Sequence, residues 1–257
     1  MLPYPKFDPV LVTIGPIAIR WYGLAYLAGI LIGLKWVSGP LKKAGFTLDD
    51  NLNWVSWLLF GIILGGRIGY ILVYGAGHYI ENPIEIIAVW NGGMSYHGGA
   101  LGALIATILF AKTHKKSKSI MLDQLGIGST FGLFFGRIAN FINGELPGRL
   151  TQMPWGMVFP GYGPLPRHPS QLYEAFGEGI ILFLILAFLQ KNKVLKPGQL
   201  FAVYLIGYGL IRLGLELFRE PDSQLGFIVA NLTMGQLLSM LMISLGVAIF
   251  RKKPLRI

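Results

Sequence analysis

Tyr208, Arg212, Glu216 and Arg219 recur at i, i+4, i+8 and i+11 within an otherwise apolar run. At about 100° per residue a helix gathers them on one narrow face. Two readings stand. Arg212 and Glu216 neutralise each other as an i,i+4 pair, or the stripe lines a cavity, as charges on a membrane helix commonly do. A second polar concentration closes another apolar run: Gly136-Arg137-Ile138-Ala139-Asn140-Phe141-Ile142-Asn143-Gly144-Glu145-Leu146-Pro147-Gly148-Arg149. Guanidinium forks grip phosphate oxygens bidentately and keep their charge at any depth. Arg137 and Arg212 together therefore suit a phosphate.

His97 lies in Asn91-Gly92-Gly93-Met94-Ser95-Tyr96-His97-Gly98-Gly99, where flanking glycines leave the ring open and able to titrate near neutral pH. A hydrogen bond to a neighbouring loop is the plainer alternative. His78, His97, His114 and His168 show no ligand spacing, so no metal site is expected. Glu145 and Glu174 could pair with arginines and are weaker candidates for acid–base work. No Gly-x-Ser-x-Gly or His-Glu-x-x-His pattern occurs.

The elements that carry these groups must cross a membrane. Of 257 residues, 53% are hydrophobic and 13% charged, and mean hydropathy is +0.57. Soluble domains carry about 25% charged residues. Gly is abundant, which in a bilayer points to close helix contacts. The absence of Cys excludes disulfides, thiolate metal sites and a cysteine nucleophile in this chain, leaving thiol chemistry to a substrate. The first residues carry no basic n-region, so no cleaved signal peptide is expected.

A window of about 20 apolar residues spans the hydrocarbon core. Helices are accordingly predicted at 16–37, 53–74, 95–112, 120–142, 171–190, 199–218 and 235–250. The fold class is all-α, a polytopic integral membrane protein of about seven transmembrane helices, with residues 1–257 as one membrane-embedded catalytic domain. Lys35, Lys42 and Lys43, then Lys112, Lys115, Lys116 and Lys118, then Lys191, Lys193 and Lys196, and finally Arg251, Lys252, Lys253 and Arg256 fall on one side. Only Lys6, Arg149, Arg167 and Arg219 fall on the other. The positive-inside rule then sets the N-terminus outside and the C-terminus in the cytoplasm. The basic loops read as topology signals and anionic-lipid anchors, and no nucleic-acid partner is expected despite a net charge of +10.

With that topology Arg20, Arg67, Arg137 and Arg212 all fall in the outer halves of spans, and His97 and His168 lie on the same side. Individually such arginines could snorkel. Together they outline a cavity open to the outer leaflet, where the abundant phosphate is the phospholipid head group. The external connection 143–170, rich in Gly and Pro and carrying Trp155, Phe159 and Tyr162, reads as an interfacial segment and a candidate lid. The competing class is a transporter or channel for an organic anion, with the same arginines as its binding site. A transport path needs polar groups toward both faces, and the inner halves of the spans offer no arginine or histidine.

Tyr96-His97-Gly98-Gly99, the Gly136–Glu145 stretch, His168-Pro169-Ser170-Gln171-Leu172-Tyr173-Glu174, Tyr208-Gly209-Leu210-Ile211-Arg212 and Arg20-Trp21-Tyr22-Gly23 resemble the prolipoprotein diacylglyceryl transferase family of bacterial inner membranes. The resemblance covers nearly the whole chain, and the long central motif is its most specific part. Ala139 and Pro147 stand where the family has Gly and often Trp; neither carries chemistry. The resemblance implies a multi-pass protein of the bacterial inner membrane with its site facing the outer leaflet. The implied reaction passes the diacylglyceryl group of phosphatidylglycerol to the lipobox cysteine thiol of a prolipoprotein signal peptide and releases glycerol phosphate. It implies no metal or organic cofactor. The family's essential residues carry over onto His97, Arg137, Asn140, Glu145, Gly148, Tyr208, Arg212, Glu216 and Arg219, with Arg20, Tyr22, Arg67, Tyr96, Asn143, His168 and Gln171 in support. A thiol must become a thiolate to attack carbon. His97 is the candidate base, an arginine that lowers the thiol pKa the alternative, and Arg137 and Arg212 would stabilise the departing phosphate.

Overall fold

The computed structural model describes residues 2–5, 7–15, 17–221, 227–229 and 232–251. Lys6, Lys252, Lys253 and Arg256, used above for topology, lie outside the described residues. In chain order the elements are β1 (Val10–Ile14), β2 (Ile17–Arg20), α1 (Trp21–Lys43), α2 (Leu48–Tyr74), α3 (Ala76–Glu81), α4 (Tyr96–Thr113), α5 (Lys118–Ile142), α6 (Ser170–Glu174), α7 (Leu182–Lys191), α8 (Gln199–Leu215), β3 (Phe227–Val229), β4 (Leu232–Thr233) and α9 (Met234–Arg251). A π-helical segment, Ala175–Ile181, joins α6 to α7. Two 3-10 turns, Pro83–Ile87 and Val89–Asn91, follow α3.

Five helical stretches are long and apolar enough to cross a bilayer: Trp21–Lys43, Leu48–Val73, Lys118–Ile142, Ser170–Lys191 and Met234–Arg251. Their outward side chains include Phe60, Leu72, Leu184 and Phe188, all well exposed, as lipid contact requires. The chain is an all-α polytopic membrane protein. Every predicted span has a helical counterpart, but several ends differ: α1 runs on to Lys43 beyond the predicted 37, and α2 already starts at Leu48 ahead of the predicted 53. The first helix begins at Trp21 rather than 16, because β1 and β2 form an antiparallel hairpin with Val12 opposite Ile19 and Ile14 opposite Ile17. Arg20 therefore closes a strand and is exposed. The sixth helix stops at Leu215, three residues short of the predicted 218, and a turn follows.

Chain contacts divide the protein into two compact units, Ser38–Leu125 and Met1–Val37 with Gly126–Ile257. In the first, Thr47 and Asp50 start α2 with reciprocal capping bonds: the Asp50 amide donates to Thr47 Oγ1 at 3.1 Å and the Thr47 amide to Asp50 Oδ2 at 2.8 Å. Such a cap contributes about 1 kcal/mol. Lys116 Nζ lies 2.6 Å from the same carboxylate and ties the basic loop after α4 to it. The α2–α4 seam is built of glycine. A Cβ on Gly61 would sit 2.6 Å from the Gly102 carbonyl oxygen, and one on Gly69 2.8 Å from the Gly98 Cα. Between helices in lipid, where no hydrophobic force draws them together, close backbone packing supplies the attraction. Trp54 Nε1 donates to Thr107 Oγ1 at 3.1 Å inside this seam, and Thr107 donates to the Ala103 carbonyl at 2.9 Å.

The second unit repeats the device. A Cβ on Gly29 of α1 would be 3.3 Å from Gly132 Cα of α5, and one on Gly33 3.3 Å from the Gly128 carbonyl oxygen. On α8 and α9, Gly209 faces the Ser239 carbonyl and Gly246 the Ala202 carbonyl at 2.8 Å each by the same measure. The π segment is buried at Ala175, Gly177, Glu178 and Gly179. Gly177 leaves room for Ile211 and Gly179 for Phe134, so α8 and α5 both approach it closely. π geometry widens a helix and recurs at functional sites.

A candidate active site of arginines around a buried carboxylate

Within the second unit, α6 delivers Glu174, whose side chain is 1% exposed. Arg137 of α5 and Arg212 of α8 each bring an Nη to 2.8 Å from its Oε2. Arg219 Nη1 donates to Oε1 at 3.1 Å. One carboxylate thus meets three guanidinium groups. Arg212 has two further acidic neighbours: Glu178 Oε1 at 3.5 Å from Nη1, and Glu216 Oε2 at 3.0 Å from Nη2. The Glu216 contact is an ion pair by distance, with angles short of a hydrogen bond. Thr233 donates to the other Glu216 oxygen at 2.8 Å. Glu178 is fully buried, and its Oε2 has no hydrogen-bond partner among the described residues. Burying charges is costly unless they are paired in good geometry, and removing one partner of such a pair costs about 3–5 kcal/mol.

One turn further along the same helices lies a second network. Asn140, three residues after Arg137, donates through Nδ2 to Glu145 Oε2 at 3.2 Å and to the Tyr22 hydroxyl at 3.5 Å. Asn143 Nδ2 donates to Glu145 Oε1 at 3.1 Å. Gln171, three residues before Glu174 and wholly buried, donates to the Glu145 carbonyl at 2.5 Å. Glu145 itself is exposed, so these amides fix a carboxylate at the rim of the cluster. Gly144 and Leu146 beside it have positive φ, 68° and 54°, which turns the chain sharply out of α5. Tyr4 closes the turn by donating to the Phe141 carbonyl at 2.5 Å, and its burial raises its pKa above the usual tyrosine value.

The connection 143–170 folds back on itself. Gly148 bridges Arg219, and Leu150 and Met157 bridge Arg167. Arg149 Nε donates to the Arg219 carbonyl at 2.8 Å, and Arg167 Nη1 to the Gly148 carbonyl at 3.0 Å. This ladder holds Arg219 in extended backbone. The sequence expectation that Arg219 shares a helical face with Tyr208, Arg212 and Glu216 is therefore corrected: α8 ends at Leu215, and Arg219 reaches Glu174 from a strand-like segment. Tyr208 and Arg212 do face inward from α8 and are buried. His168 is half-buried, with Nδ1 3.2 Å from the Tyr173 hydroxyl, and desolvation lowers its pKa.

Tyr96, His97 and Arg67 belong to the other unit. His97 is exposed in the first turn of α4, its ring edge-on to Tyr96 at 5.4 Å, and Ser95 caps that helix by accepting from the Gly98 amide at 3.2 Å. Arg67 is 5% exposed and already engaged. Its Nε donates to the Ile86 carbonyl at 2.9 Å, Nη1 to Gly92 at 2.6 Å and Gly93 at 3.0 Å, and Nη2 to the Glu85 carbonyl. It organises the connection after α3 instead of presenting donors to a ligand.

Sequence reasoning ranked Glu174 as a secondary arginine partner and did not single out Glu178. Their signal was present: two carboxylates at i,i+4 in a run too apolar to tolerate unpaired charge. No group of three or more His, Cys, Asp or Glu able to hold a metal occurs among the described residues.

The sequence profile described as prolipoprotein diacylglyceryl transferase matches residues 9–251. A phosphatidylglycerol–prolipoprotein diacylglyceryl transferase of Rhodospirillum rubrum is 50% identical, covering 100% of this chain and 97% of the relative. Proteins of the same description from Rhizobium meliloti and Rickettsia felis are 48% and 47% identical, covering 96% and 95% of this chain and 92% and 95% of theirs.

Proposed function

The chain belongs to the prolipoprotein diacylglyceryl transferase family, and from that premise we propose that it transfers the diacylglyceryl group of phosphatidylglycerol to the lipobox cysteine thiol of a prolipoprotein signal peptide. The observation that carries the reading is the set of arginines gathered on Glu174, from α5, from α8 and from the extended segment after α8. The cysteine sulfur attacks the glyceryl carbon next to the phosphate oxygen. A C–S bond forms, the C–O bond breaks, the thiol proton passes to a base, and glycerol phosphate leaves with the bonding pair.

Arg137, paired to Glu174 through Nη2, meets the leaving phosphate with the rest of its guanidinium fork. Arg212, caged by Glu174, Glu178 and Glu216, contributes its charge from behind. Fixed charges aimed at a developing anion in a dry site are commonly the largest contribution to such catalysis. His97, exposed at a helix start, is the base for the thiol. Asn140, Glu145, Gly148, Tyr208, Glu216 and Arg219 bind and orient the substrates. Tyr22, Asn143, His168, Gln171, Tyr96 and Arg20 are the supporting residues of this reading, and Arg67 supports it only by organising the connection after α3.

The basic residues at helix ends and connections, Lys42 and Lys43 closing α1 and Lys115 and Lys116 after α4 among them, support a cytoplasmic side, with the N-terminus and the site facing the outer leaflet of the bacterial inner membrane. Both substrates reside there, and surrounding lipids are the remaining partners. Purified protein is incubated with phosphatidylglycerol and a lipobox peptide, and the peptide mass is read. A diacylglyceryl mass gain on the cysteine is expected, and its absence sinks the transferase reading. Should His97→Gln keep near-normal transfer across pH while Arg212→Ala abolishes it, the base role of His97 is dropped.

A further inference from the structure

Three separate elements converge on Glu174: α5 with Arg137, α8 with Arg212, and the extended segment bridging Gly148 with Arg219. The arginines do not depend on it equally. Arg212 retains Glu178 and Glu216 if Glu174 is taken away. Arg137 and Arg219 have guanidinium partners in no other carboxylate among the described residues. Their direct guanidinium ion pairs therefore rest on this one side chain, while the ladder at Gly148 holds the Arg219 backbone. Its own backbone is held from both sides, by Gln171 donating to the Glu145 carbonyl one turn before and by Gly177 packed on Ile211 one turn after.

The charges also balance. Arg137, Arg212 and Arg219 stand against Glu174, Glu178 and Glu216, so the cluster without a ligand is neutral if all are ionised. An arriving phosphodiester finds no large excess of positive charge. What the cluster offers is geometry, guanidinium groups held at fixed places before the leaving phosphate develops its second charge.

Resting on the transferase reading, we propose that Glu174 is a positioning residue for the reaction: it touches no reacting atom and acts through Arg137 and Arg219. Replacing it with Gln keeps the shape and removes the charge. The amide oxygen still accepts from Arg137 and Arg212, while the amide nitrogen turns a donor toward Arg219. The cluster gains a unit of positive charge, so attraction for the anionic lipid is kept or strengthened while the alignment needed in the transition state is lost.

The test is steady-state transfer by the full-length protein in lipid-containing micelles, normalised to folded protein. For Glu174→Gln, kcat is expected to fall by at least about tenfold while KM for phosphatidylglycerol stays level or drops, as loss of an interaction made only in the transition state requires. A purely structural role would lower the folded fraction and leave kcat per folded molecule and KM unchanged. Either kcat within about twofold of the parent, or a loss confined to a raised KM, overturns the proposal. If Glu174→Gln yields no folded protein, Glu174→Asp keeps the charge and shortens its reach by a methylene; reduced kcat at unchanged KM supports the proposal and parental kcat overturns it. Absence of transfer by the parent protein counts against the transferase reading and not against the role of Glu174.

Discussion

The Gly148 amide donates to the His168 carbonyl at 2.8 Å, and a Cβ on Gly148 would lie 3.0 Å from that same oxygen and closer still to the Phe218 carbonyl. Both obstacles are backbone, so neither can step aside without opening the ladder that holds Arg219. Gly148→Ala is expected to lower transfer by about tenfold or more, since small misplacements of charged groups cost that much. Transfer rates per folded molecule check it. Parental rates would show that the ladder tolerates a methyl group.

Arg67→Lys keeps the charge but replaces a fork that reaches four carbonyl oxygens with one flexible ammonium. Charge-assisted hydrogen bonds of this kind contribute about 1.5–3 kcal/mol each when lost with their partners left buried. The segment 75–94 is expected to become sensitive to protease well before the helices do. Cleavage mapped by mass spectrometry at parental rates would refute this.

Gly65→Val places side-chain atoms where the Gly98 carbonyl and Gly102 already sit. Overpacking of a tight contact typically costs about 1–3 kcal/mol. Thermal unfolding in detergent is expected to shift down by several degrees, with Gly77→Ala, which has open space around it, as the comparison that does not shift.

Tyr173 accepts from Trp155 Nε1 at 2.7 Å, and its hydroxyl lies 3.2 Å from His168 Nδ1. Desolvation favours the neutral imidazole and lowers the His168 pKa below its ordinary value. The unfolded chain binds this proton first, at a pKa of about 6.5. Stability contributed here is present above that value and is lost as pH falls through it toward the folded pKa. Melting curves between neutral and mildly acidic pH should lose part of their slope in His168→Phe. An unchanged slope would show that other groups set it.

Arg212→Lys presents a point charge to Glu174, Glu178 and Glu216, which now surround a fork. It is expected to reduce transfer by about a hundredfold, near 2.7 kcal/mol of transition-state stabilisation. Side-by-side rates with Arg212→Ala check whether the shape of the group or its charge alone matters.

The long helices were legible because each is an apolar run near the length a bilayer demands, and five of them satisfy that length in the structure. The N-terminal hairpin was not, because Ile17, Ala18 and Ile19 read as the start of the same apolar run that becomes α1. Arg137, Arg212 and Glu216 were found from charge in apolar surroundings, and the structure brings them together. Arg219 was found for the wrong geometric reason, since a fixed helical period was carried past the true end of α8 at Leu215. Glu174 was undervalued because a pairing that gathers α5, α6 and the segment after α8 is tertiary, and no local spacing encodes it. Arg67 looked equivalent to the other arginines, since sequence does not distinguish a guanidinium met by carboxylates from one met by carbonyl dipoles.

Glu174 lies beyond Arg137 along the chain, on a different helix. During synthesis α5 therefore reaches the membrane before its counter-ion does, and an unpaired arginine in lipid costs a few kcal/mol at insertion. Apolar residues such as Ile127, Phe131 and Leu133 must carry α5 across that interval, or the helix must wait beside the insertion machinery until α6 arrives. The order of the chain makes the central carboxylate a late arrival, and the arginine cluster is complete only once nearly all of the protein has been made.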